Sequence, residues 1–462
     1  MTRRLDVTAS GTVGAGLPLH EPACPNEVLA IEDVEGSYFV AAYPPFSRWR
    51  PEQLPAWQRR LARPPVTDPP PLGLYVHVPF CARRCDFCYY LAYDDAGPGR
   101  IGEYLEALGH EAAGYGRSAA ITGRVLDFAY FGGGTPSLLH PREIRSLMRT
   151  LKAAFDWGSV REITWECAPQ TVNDARLGAL REAGVTRLSL GVQQMNDEVL
   201  QKSGRIHQVR DVERAWKQID HMGFPIVNLD LIVGMIGETD TSFFDSLDRV
   251  VELAPESITI YQLEIPRHTP LARSIRDGEM AIEDVPSWET KRRRLGAAFE
   301  HLEDRGYHLR SAYTAVRDPE LHPFLYMDEQ YRGADLIGLG AASFSYLDGI
   351  HQQNADSLDT YLAAIDRGEL AGGRAYELDA DERAIRELIL QLKLGNVPIE
   401  PFRQRHGRHP VEAFGAAMEA LQGEGYLLIE HDAIRVTRTG LLRIDQLLPA
   451  FYSPAHRDVR YT

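Results

Sequence analysis

Three cysteines lie within eight consecutive positions, at Cys81, Cys85 and Cys88. Thiolates suit soft iron, and a four-iron cubane offers one external coordination position on each iron. Because a cubane is small, cysteines on one short loop can fill three of these positions and leave the fourth iron open. The spacing therefore predicts a 4Fe–4S cluster. A closed zinc site would need a fourth ligand, and the nearby His77 lies in a strand pattern that points its side chain elsewhere.

The other two cysteines, Cys24 and Cys167, lie far from this loop and are predicted to be ordinary thiols. Five cysteines in 462 residues are too few and too scattered for a disulfide framework. With 44% hydrophobic and 25% charged residues, the composition is that of a globular protein. No apolar run is long enough to cross a bilayer, and no apolar signal core follows the N-terminus. We therefore expect a cytoplasmic protein without membrane partners.

Short apolar runs alternate with longer amphipathic stretches from residue 72 onward. The predicted strands are residues 72–78, 125–131, 162–166, 187–192, 226–232 and 257–263. The predicted helices between them are residues 102–115, 141–155, 174–183, 209–222 and 241–253. This alternation is typical of parallel strands joined by right-handed crossovers. It predicts an α/β fold with a partial (β/α)6 barrel of the TIM type, although a doubly wound open sheet would give the same pattern.

The sequence divides into four segments. Residues 1–70 form an N-terminal arm that ends in a proline-rich stretch, and residues 71–265 form the barrel core. Residues 266–375 extend the barrel and are expected to form the region for the substrate and a second cofactor molecule. Residues 376–462 form a C-terminal domain. Within the extension, the pattern predicts a helix and then a strand, over residues 286–305 and 308–313.

The C-terminal domain has the pattern of a winged helix. Three helices are predicted, followed by a hairpin, over residues 379–393, 401–405, 410–422, 426–430 and 433–436. Winged helices normally read DNA, but the formal net charge of −15 repels polyphosphate chains. We therefore expect no nucleic-acid partner, and a packing or substrate-covering role for this domain.

The cysteine loop, C-x3-C-x2-C, resembles that of the radical S-adenosylmethionine (SAM) superfamily. Its flanks and several further segments resemble, in the same order, the oxygen-independent coproporphyrinogen III oxidase family. These segments are Tyr43-Pro-Pro-Phe-Ser-Arg-Trp49, Tyr75-Val-His-Val-Pro-Phe-Cys81, Phe131-Gly-Gly-Gly-Thr-Pro136, Glu166-Cys-Ala-Pro169, Arg187-Leu-Ser-Leu-Gly-Val-Gln193, Gly204-Arg-Ile-His207 and Asn228-Leu-Asp-Leu-Ile-Val-Gly234. The resemblance implies that the open iron chelates SAM. An electron from the reduced cluster then splits a carbon–sulfur bond of SAM and releases a 5'-deoxyadenosyl radical.

The resemblance also implies a set of SAM-binding residues at the strand ends. Gly132, Gly133 and Gly134 would hold the methionyl end, because glycine lets the backbone approach a ligand closely and donate N–H groups, and Thr135 is a further expected contact. Glu166 would bind the ammonium group or the ribose hydroxyls of SAM. Further contacts to two SAM molecules are expected from Tyr75, Gln193, Arg205, Asp230, Gly340 and Ala341. If these residues do not bind SAM, the alternative is a structural role. The glycines would then form a tight turn, the charged residues would lie on a solvated rim, and Tyr75 would belong to the core.

Two features depart from the family pattern. Tyr89 and Tyr90 stand where the porphyrinogen-oxidising enzymes carry an additional cysteine, and the segment 230–237 lacks the proline that usually follows its glycine. We therefore expect a class C radical SAM methylase or cyclopropanase. In such an enzyme a second SAM donates carbon to an sp2 carbon of an aromatic or unsaturated natural product. Coproporphyrinogen oxidation and heme trafficking are the two alternatives.

Two components of the reaction stay open. The cluster needs a reducing partner such as flavodoxin or ferredoxin. Removal of a proton from the substrate adduct would need a base near the barrel mouth. The residues that could face this mouth are Tyr89, Tyr90, Glu264, His268 and Tyr313, and the sequence does not select one of them.

Overall fold

The computed structural model describes residues 39–266, 269–281, 284–457 and 459. Most of the predicted N-terminal arm, with Cys24, lies outside these residues, and so does His268. The described strands are β1 Leu72–Val78, β2 Leu126–Gly133, β3 Glu162–Cys167, β4 Arg187–Gln193, β5 Ile226–Val233, β6 Ser257–Gln262, β7 His308–Leu309, β8 Thr314–Val316, β9 Asp335–Leu339, β10 Phe344–Leu347, β11 Ile350–Asn354, β12 Gly372–Glu377, β13 Asn396–Pro398, β14 Leu427–Ile429 and β15 Ala433–Val436.

The described helices lie between these strands, before β1 and after β15. The described α-helices are α1 Leu54–Leu61, α2 Pro98–Gly116, α3 Pro141–Ala154, α4 Asp174–Ala183, α5 Asp197–Lys202, α6 Val209–Met222, α7 Asp240–Glu252, α8 Pro270–Arg276, α9 Trp288–Asp304, α10 Leu325–Tyr331, α11 Leu358–Asp366, α12 Ala380–Lys393, α13 Ile399–His406, α14 Pro410–Ala413, α15 Gly415–Gly423, α16 Arg438–Leu441, α17 Ile444–Leu447 and α18 Pro454–Arg457. None of the helices described is both long and apolar enough to span a membrane.

The six predicted strands pair in chain order, from β1 to β6, and every pair is parallel. The prediction of a partial (β/α)6 barrel is therefore confirmed. Strand residues are buried on both faces, because helices pack outside the sheet while aromatic rings fill parts of its interior. Phe131 and Trp165, which are register partners on β2 and β3, stack with their ring centroids 4.2 Å apart.

The extension continues the same sheet at both edges. Strand β9 pairs in parallel with β1, and β10 to β12 follow it in antiparallel order; β8 and β7 flank β6 on the other side. The prediction of one strand over 308–313 is wrong, because the chain turns there between β7 and β8. Ser311 stabilises this turn, since its hydroxyl accepts hydrogen bonds from the N–H groups of Tyr313 and Thr314.

The C-terminal domain has its own apolar core and a small antiparallel sheet in the order β13, β15, β14. Its helices and hairpin match the predicted winged-helix-like pattern. The helix predicted over 410–422 is broken into α14 and α15, because Phe414 leaves the helical conformation with φ −123° and ψ 23°. Val40 and Tyr43 of the N-terminal arm belong to this core, so the described part of the arm packs against the C-terminal domain.

Candidate functional site

A cavity of about 270 Å³ lies at the carboxyl ends of the six parallel strands. Each strand delivers at least one polar or sulfur-bearing residue to its wall. In strand order, and counting the loops that follow β1 and β6, these are Cys81, Tyr130, Glu166, Gln193, Asp230 and Glu264. Parallel strands end on the same side of the sheet, so residues far apart in sequence converge here, as in barrel enzymes generally. The wall also includes Phe39 from the arm and Asp445 from the C-terminal domain.

The cysteine loop follows β1 and is fixed by backbone hydrogen bonds. The N–H of Cys81 donates to the carbonyl of Tyr93 at 3.0 Å, and the N–H of Cys88 donates to the carbonyl of Cys85 at 3.2 Å. All three cysteines are free thiols and line the cavity. Among the residues described, no three His, Cys, Asp or Glu side chains are grouped closely enough to hold one metal ion. This arrangement suits a cubane, because each thiolate there binds a different iron.

His77 is not available as a fourth ligand for zinc. Its Nε2 lies 3.0 Å from the carbonyl of Leu91, and its Nδ1 lies 3.0 Å from the hydroxyl of Tyr75. Both ring nitrogens therefore have partners within the protein, and the ring is buried. Burial lowers the pKa of His77 to about 4, so the ring is neutral at physiological pH.

Each cysteine sulfur receives a hydrogen bond from a neighbouring group. The hydroxyl of Thr135 lies 3.4 Å from Sγ of Cys81, and Nη1 of Arg205 lies 3.0 Å from Sγ of Cys85. The backbone N–H of Tyr90 donates to the thiol of Cys88. Burial raises the pKa of Cys88 to about 11, and raises that of Cys81 as well. Iron binding must therefore supply the charge that keeps these groups as thiolates.

The glycine segment after β2 packs directly against the cysteine loop. Gly133 has φ +109°, and a Cβ there would lie 2.5 Å from the ring of His77. A Cβ on Gly134 would lie 2.8 Å from the backbone nitrogen of Phe80. The expectation that these amides donate to a ligand needs correction. Gly134 N–H donates to the carbonyl of Val78, and the N–H groups of Gly133 and Thr135 also have protein acceptors. The glycines are required here for close packing.

Glu166 faces the cavity and has two donors within the protein. The hydroxyl of Tyr130 donates to it at 2.6 Å and the N–H of Gly133 at 3.2 Å. Burial raises the pKa of Glu166 to about 7, and the charge of Asp230 adds to this rise. Asp230 accepts from Ser189 and Asn228 at 2.9 and 2.8 Å, and burial raises its pKa to about 6.

The raised pKa of Glu166 predicts a pH-dependent stability. Its folded-state pKa of about 7 exceeds the ordinary 4.5, so its contribution to stability is present below pH 4.5 and is lost as the pH rises through 7. We expect Glu166→Gln, which titrates in neither state, to be more stable than the parent protein at pH 8, by roughly 1–3 kcal/mol. The gap should narrow strongly at pH 5 and close below pH 4.5. Urea unfolding of the metal-free protein measures this, with the exposed Glu106→Gln as control.

Gln193 and Arg205 carry polar atoms that no protein group satisfies. Gln193 has φ +63°, and its buried Oε1 has no hydrogen-bond partner. Arg205 donates from Nη2 to the carbonyl of Gly191 at 3.0 Å, whereas its Nε has no acceptor. Because buried polar atoms are normally paired, these two atoms at the cavity wall are available to a polar ligand. The residues present therefore fit a cluster on the cysteines and a polar small molecule beside it.

Three residues that were predicted to contact SAM are not among the described residues that line the cavity. Tyr75 lies behind Tyr130, with the two rings 6.0 Å apart. The N–H of Gly340 donates to the carboxylate of Glu111 at 2.8 Å, and that of Ala341 donates to the hydroxyl of Tyr104 at 3.2 Å. Gly340 and Ala341 therefore contribute to internal packing, and their contacts to SAM stay a prediction. Tyr75 supports the cavity only through its neighbours.

The bond between Arg205 and Cys85 makes a prediction for the loaded cluster. A positive charge at the sulfur stabilises the reduced cluster, which carries more negative charge. We expect Arg205→Gln to shift the midpoint potential to a more negative value, with about a tenfold lower ratio of reduced to oxidised cluster at a fixed ambient potential. EPR-monitored redox titration measures this. Arg214→Gln, an exposed position on α6, should leave the potential unchanged.

The chain matches two family descriptions. Residues 75–250 match the radical SAM superfamily, and residues 378–443 match the HemN C-terminal domain. An oxygen-independent coproporphyrinogen III oxidase from Pseudomonas aeruginosa is 27% identical over 410 residues, which are 85% of this chain and 88% of that protein. The heme chaperone HemW from Bacillus subtilis is 28% identical over 387 residues, 82% of this chain and 98% of that protein.

A solved structure extends the similarity to the fold. The structure of coproporphyrinogen III oxidase (HemN) from Escherichia coli superposes with a TM-score of 0.78 and 25% sequence identity. The match covers 90% of this chain and 97% of that chain. The barrel and the cysteine cavity thus define a radical SAM enzyme, whose family uses a 4Fe–4S cluster and SAM. Within that superfamily, the chain carries a HemN C-terminal domain and is similar over most of its length to oxygen-independent coproporphyrinogen III oxidases.

The expectation of a natural-product methylase or cyclopropanase is wrong. The relatives that match over most of the chain carry the names of coproporphyrinogen oxidases and heme chaperones. The two departures from the family pattern, at Tyr89 and Tyr90 and in the segment 230–237, are local features, whereas these matches span the barrel and the C-terminal domain.

Proposed function

We propose that this protein is a radical SAM oxidoreductase that acts on a porphyrinogen-type tetrapyrrole. Its reaction would be the oxidative decarboxylation of a propionate group to a vinyl group, with release of CO2 and transfer of the remaining electron to an acceptor. The observation that carries this proposal is the extent of the similarity to the E. coli oxidase, 97% of that chain at a TM-score of 0.78. A shared radical SAM core alone would not extend through the C-terminal domain.

The roles of this chain's residues follow from their positions in the cavity. Cys81, Cys85 and Cys88 would hold the cluster, and the carboxylates of Glu166 and Asp230 would bind SAM. When bound, the cluster and SAM supply a 5'-deoxyadenosyl radical that takes a hydrogen atom from the substrate. The arm and the C-terminal domain contribute Phe39 and Asp445 to the cavity wall, which reduces the access of water to this site.

The remaining wall is aromatic, which suits a large apolar macrocycle. Tyr89, Tyr90 and Tyr261 are 38%, 49% and 38% exposed, and all three line the cavity. Tyr89 and Tyr90 pack with ring centroids 4.6 Å apart. Because these rings keep this much exposed surface inside the cavity, a substrate ring can pack against them. The tyrosines that replace the family's additional cysteine thus belong to the substrate side of the site.

The missing proline in the segment 230–237 has a packing explanation. Met235 and Ile236 are buried in a small apolar cluster together with Leu263 and Leu271. Their side chains fill space beside the cavity that a proline would leave open.

A heme chaperone is the second candidate, because the heme chaperone HemW from Bacillus subtilis matches 82% of this chain. The absence of the additional cysteine after Cys88 favours it. A phenolate such as that of Tyr89 or Tyr90 is a known type of ligand for heme iron. Binding of hemin without consumption of SAM would support this candidate over the oxidoreductase.

Anaerobic assay of the reconstituted protein separates the candidates. With coproporphyrinogen III, SAM and a strong reductant, we expect CO2 and 5'-deoxyadenosine to form together, without S-adenosylhomocysteine. Stable hemin binding with no CO2 would reject the oxidoreductase and favour the chaperone. The physiological reductant, expected to be a flavodoxin or ferredoxin, can be identified by replacing the chemical reductant in the same assay.

A further inference from the structure

Six charged residues line the cavity in the described part of the chain, and four of them already have a role. These four are Glu166, Asp230, Arg205 and Asp445. The first two face the proposed SAM site, and Arg205 binds the sulfur of Cys85. Asp445 accepts hydrogen bonds from the N–H of Val40, the ammonium of Lys393 and the hydroxyl of Tyr313, which leaves it little capacity for a ligand. Arg83 and Glu264 remain.

Arg83 is an exposed cation at the cluster end of the cavity. It lies two residues after Cys81, and within the described residues its guanidinium forms no hydrogen bond or ion pair. The adjacent Arg84 differs, because its Nη2 donates to the carbonyl of Cys88 at 3.0 Å. A guanidinium offers a planar fork that binds a carboxylate through two parallel hydrogen bonds. Arg83 is thus free to bind an anionic group beside the cluster loop.

Glu264 lies on the opposite flank of the cavity. It follows β6, and four strands of the sheet separate β6 from β1, which precedes the cysteine loop. Its carboxyl accepts a hydrogen bond from the N–H of Phe39, and it forms no ion pair among the residues described. Burial and the charge of Asp445 hold the pKa of Glu264 well above its usual range. A hydrogen-bond donor on the ligand would satisfy the remaining acceptor capacity of this partly buried carboxyl and offset the cost of its burial.

We propose that Arg83 and Glu264 orient the substrate between the two flanks of the cavity. Arg83 binds a carboxylate of the tetrapyrrole beside the cluster loop, and Glu264 accepts a hydrogen bond from a pyrrole N–H on the far side. This inference rests on the proposed tetrapyrrole substrate and specifies how that substrate is oriented relative to the cluster. The anionic side chain that reacts is thereby held at the cluster end, where the radical is generated, and the macrocycle core faces the aromatic wall.

Anaerobic equilibrium binding with three probes tests each contact without turnover. The probes are coproporphyrinogen III, its tetramethyl ester, and zinc(II) coproporphyrin III, which has no pyrrole N–H. The unmodified protein should bind the ester and the zinc complex about tenfold more weakly than coproporphyrinogen III. Arg83→Gln should bind acid and ester equally, and Arg83→Lys should restore part of the preference. Glu264→Leu should lose the preference for the N–H-bearing macrocycle but keep the preference for the acid.

Matched controls and the assay of CO2 separate this inference from the proposed reaction. The exposed variants Arg142→Gln and Glu289→Gln should keep both preferences. If CO2 forms but Arg83→Gln and Glu264→Leu keep the preferences of the unmodified protein, the orientation is overturned and the reaction stands. If the preferences follow the two residues but no CO2 forms, the reaction is overturned and the orientation stands.

Discussion

Replacing any one of Cys81, Cys85 or Cys88 with alanine should abolish reductive cleavage of SAM, with at least about a hundredfold loss of 5'-deoxyadenosine. All three thiols line the same cavity, and each would bind a different iron, so none can substitute for another. Iron and sulfide content after anaerobic reconstitution should fall together with the activity. The three variants should behave alike, because the loop offers no fourth sulfur.

Cys167 provides the matched control for this experiment. It is buried within β3, its thiol lies 4.0 Å from the carbonyl of Trp165 and also contacts the side chain of Ser137, and burial raises its pKa to about 12. It should therefore remain a neutral thiol in the core. Cys167→Ala should keep iron content and SAM cleavage close to those of the unmodified protein, as should Cys24→Ala. Loss of the cluster in Cys167→Ala, with retention in Cys85→Ala, would show that the sulfur ligands were assigned incorrectly.

The barrel could be predicted from sequence because each of its strands is a short segment rich in apolar residues that alternates with an amphipathic helix. Strand β1 was predicted over 72–78 and spans these residues in the structure. Strands β2 and β4 run further than predicted, to Gly133 and Gln193, because their last residues are glycine or polar. Those last residues form the cavity wall. The apolar pattern therefore ends before the residues that line the cavity. Those residues were predicted from the sequence motifs and not from hydrophobicity.

The errors at the site arise from glycines and from long-range contacts. Gly340 looks like a ligand-binding glycine in sequence, but its φ of +96° and its contact with Tyr104 serve packing. Nothing local distinguishes these two uses. Asp445 reaches the cavity and pairs with the arm across 405 positions, a contact that no periodic pattern encodes. The predictions for the cluster loop, Glu166, Gln193, Arg205 and Asp230 stay predictions, with a shared cavity as their support.

Asp445→Ala should destabilise the protein by about 3–5 kcal/mol, because it leaves a buried cation without its partner. Lys393 is fully buried, and its Nζ lies 2.8 Å from Oδ1 of Asp445, whose side chain is 11% exposed. The same Nζ lies 2.7 Å from the carbonyl of Val40 and 3.5 Å from the ring centroid of Phe39. This pair therefore joins the C-terminal domain to the arm at the wall of the cavity.

Chemical unfolding of single and double variants isolates the cost of the unpaired charge. Lys393→Met with Asp445→Leu removes both charges and should recover most of the lost stability, since apolar residues of similar volume often replace a buried pair without penalty. The exposed pair of Arg435 and Glu430, with side chains 50% and 43% exposed, is the matched control, and Arg435→Ala should cost less than about 1 kcal/mol. A double variant no more stable than Asp445→Ala would mean that the hydrogen bonds to Val40 and Tyr313, and not the buried charge, account for the loss.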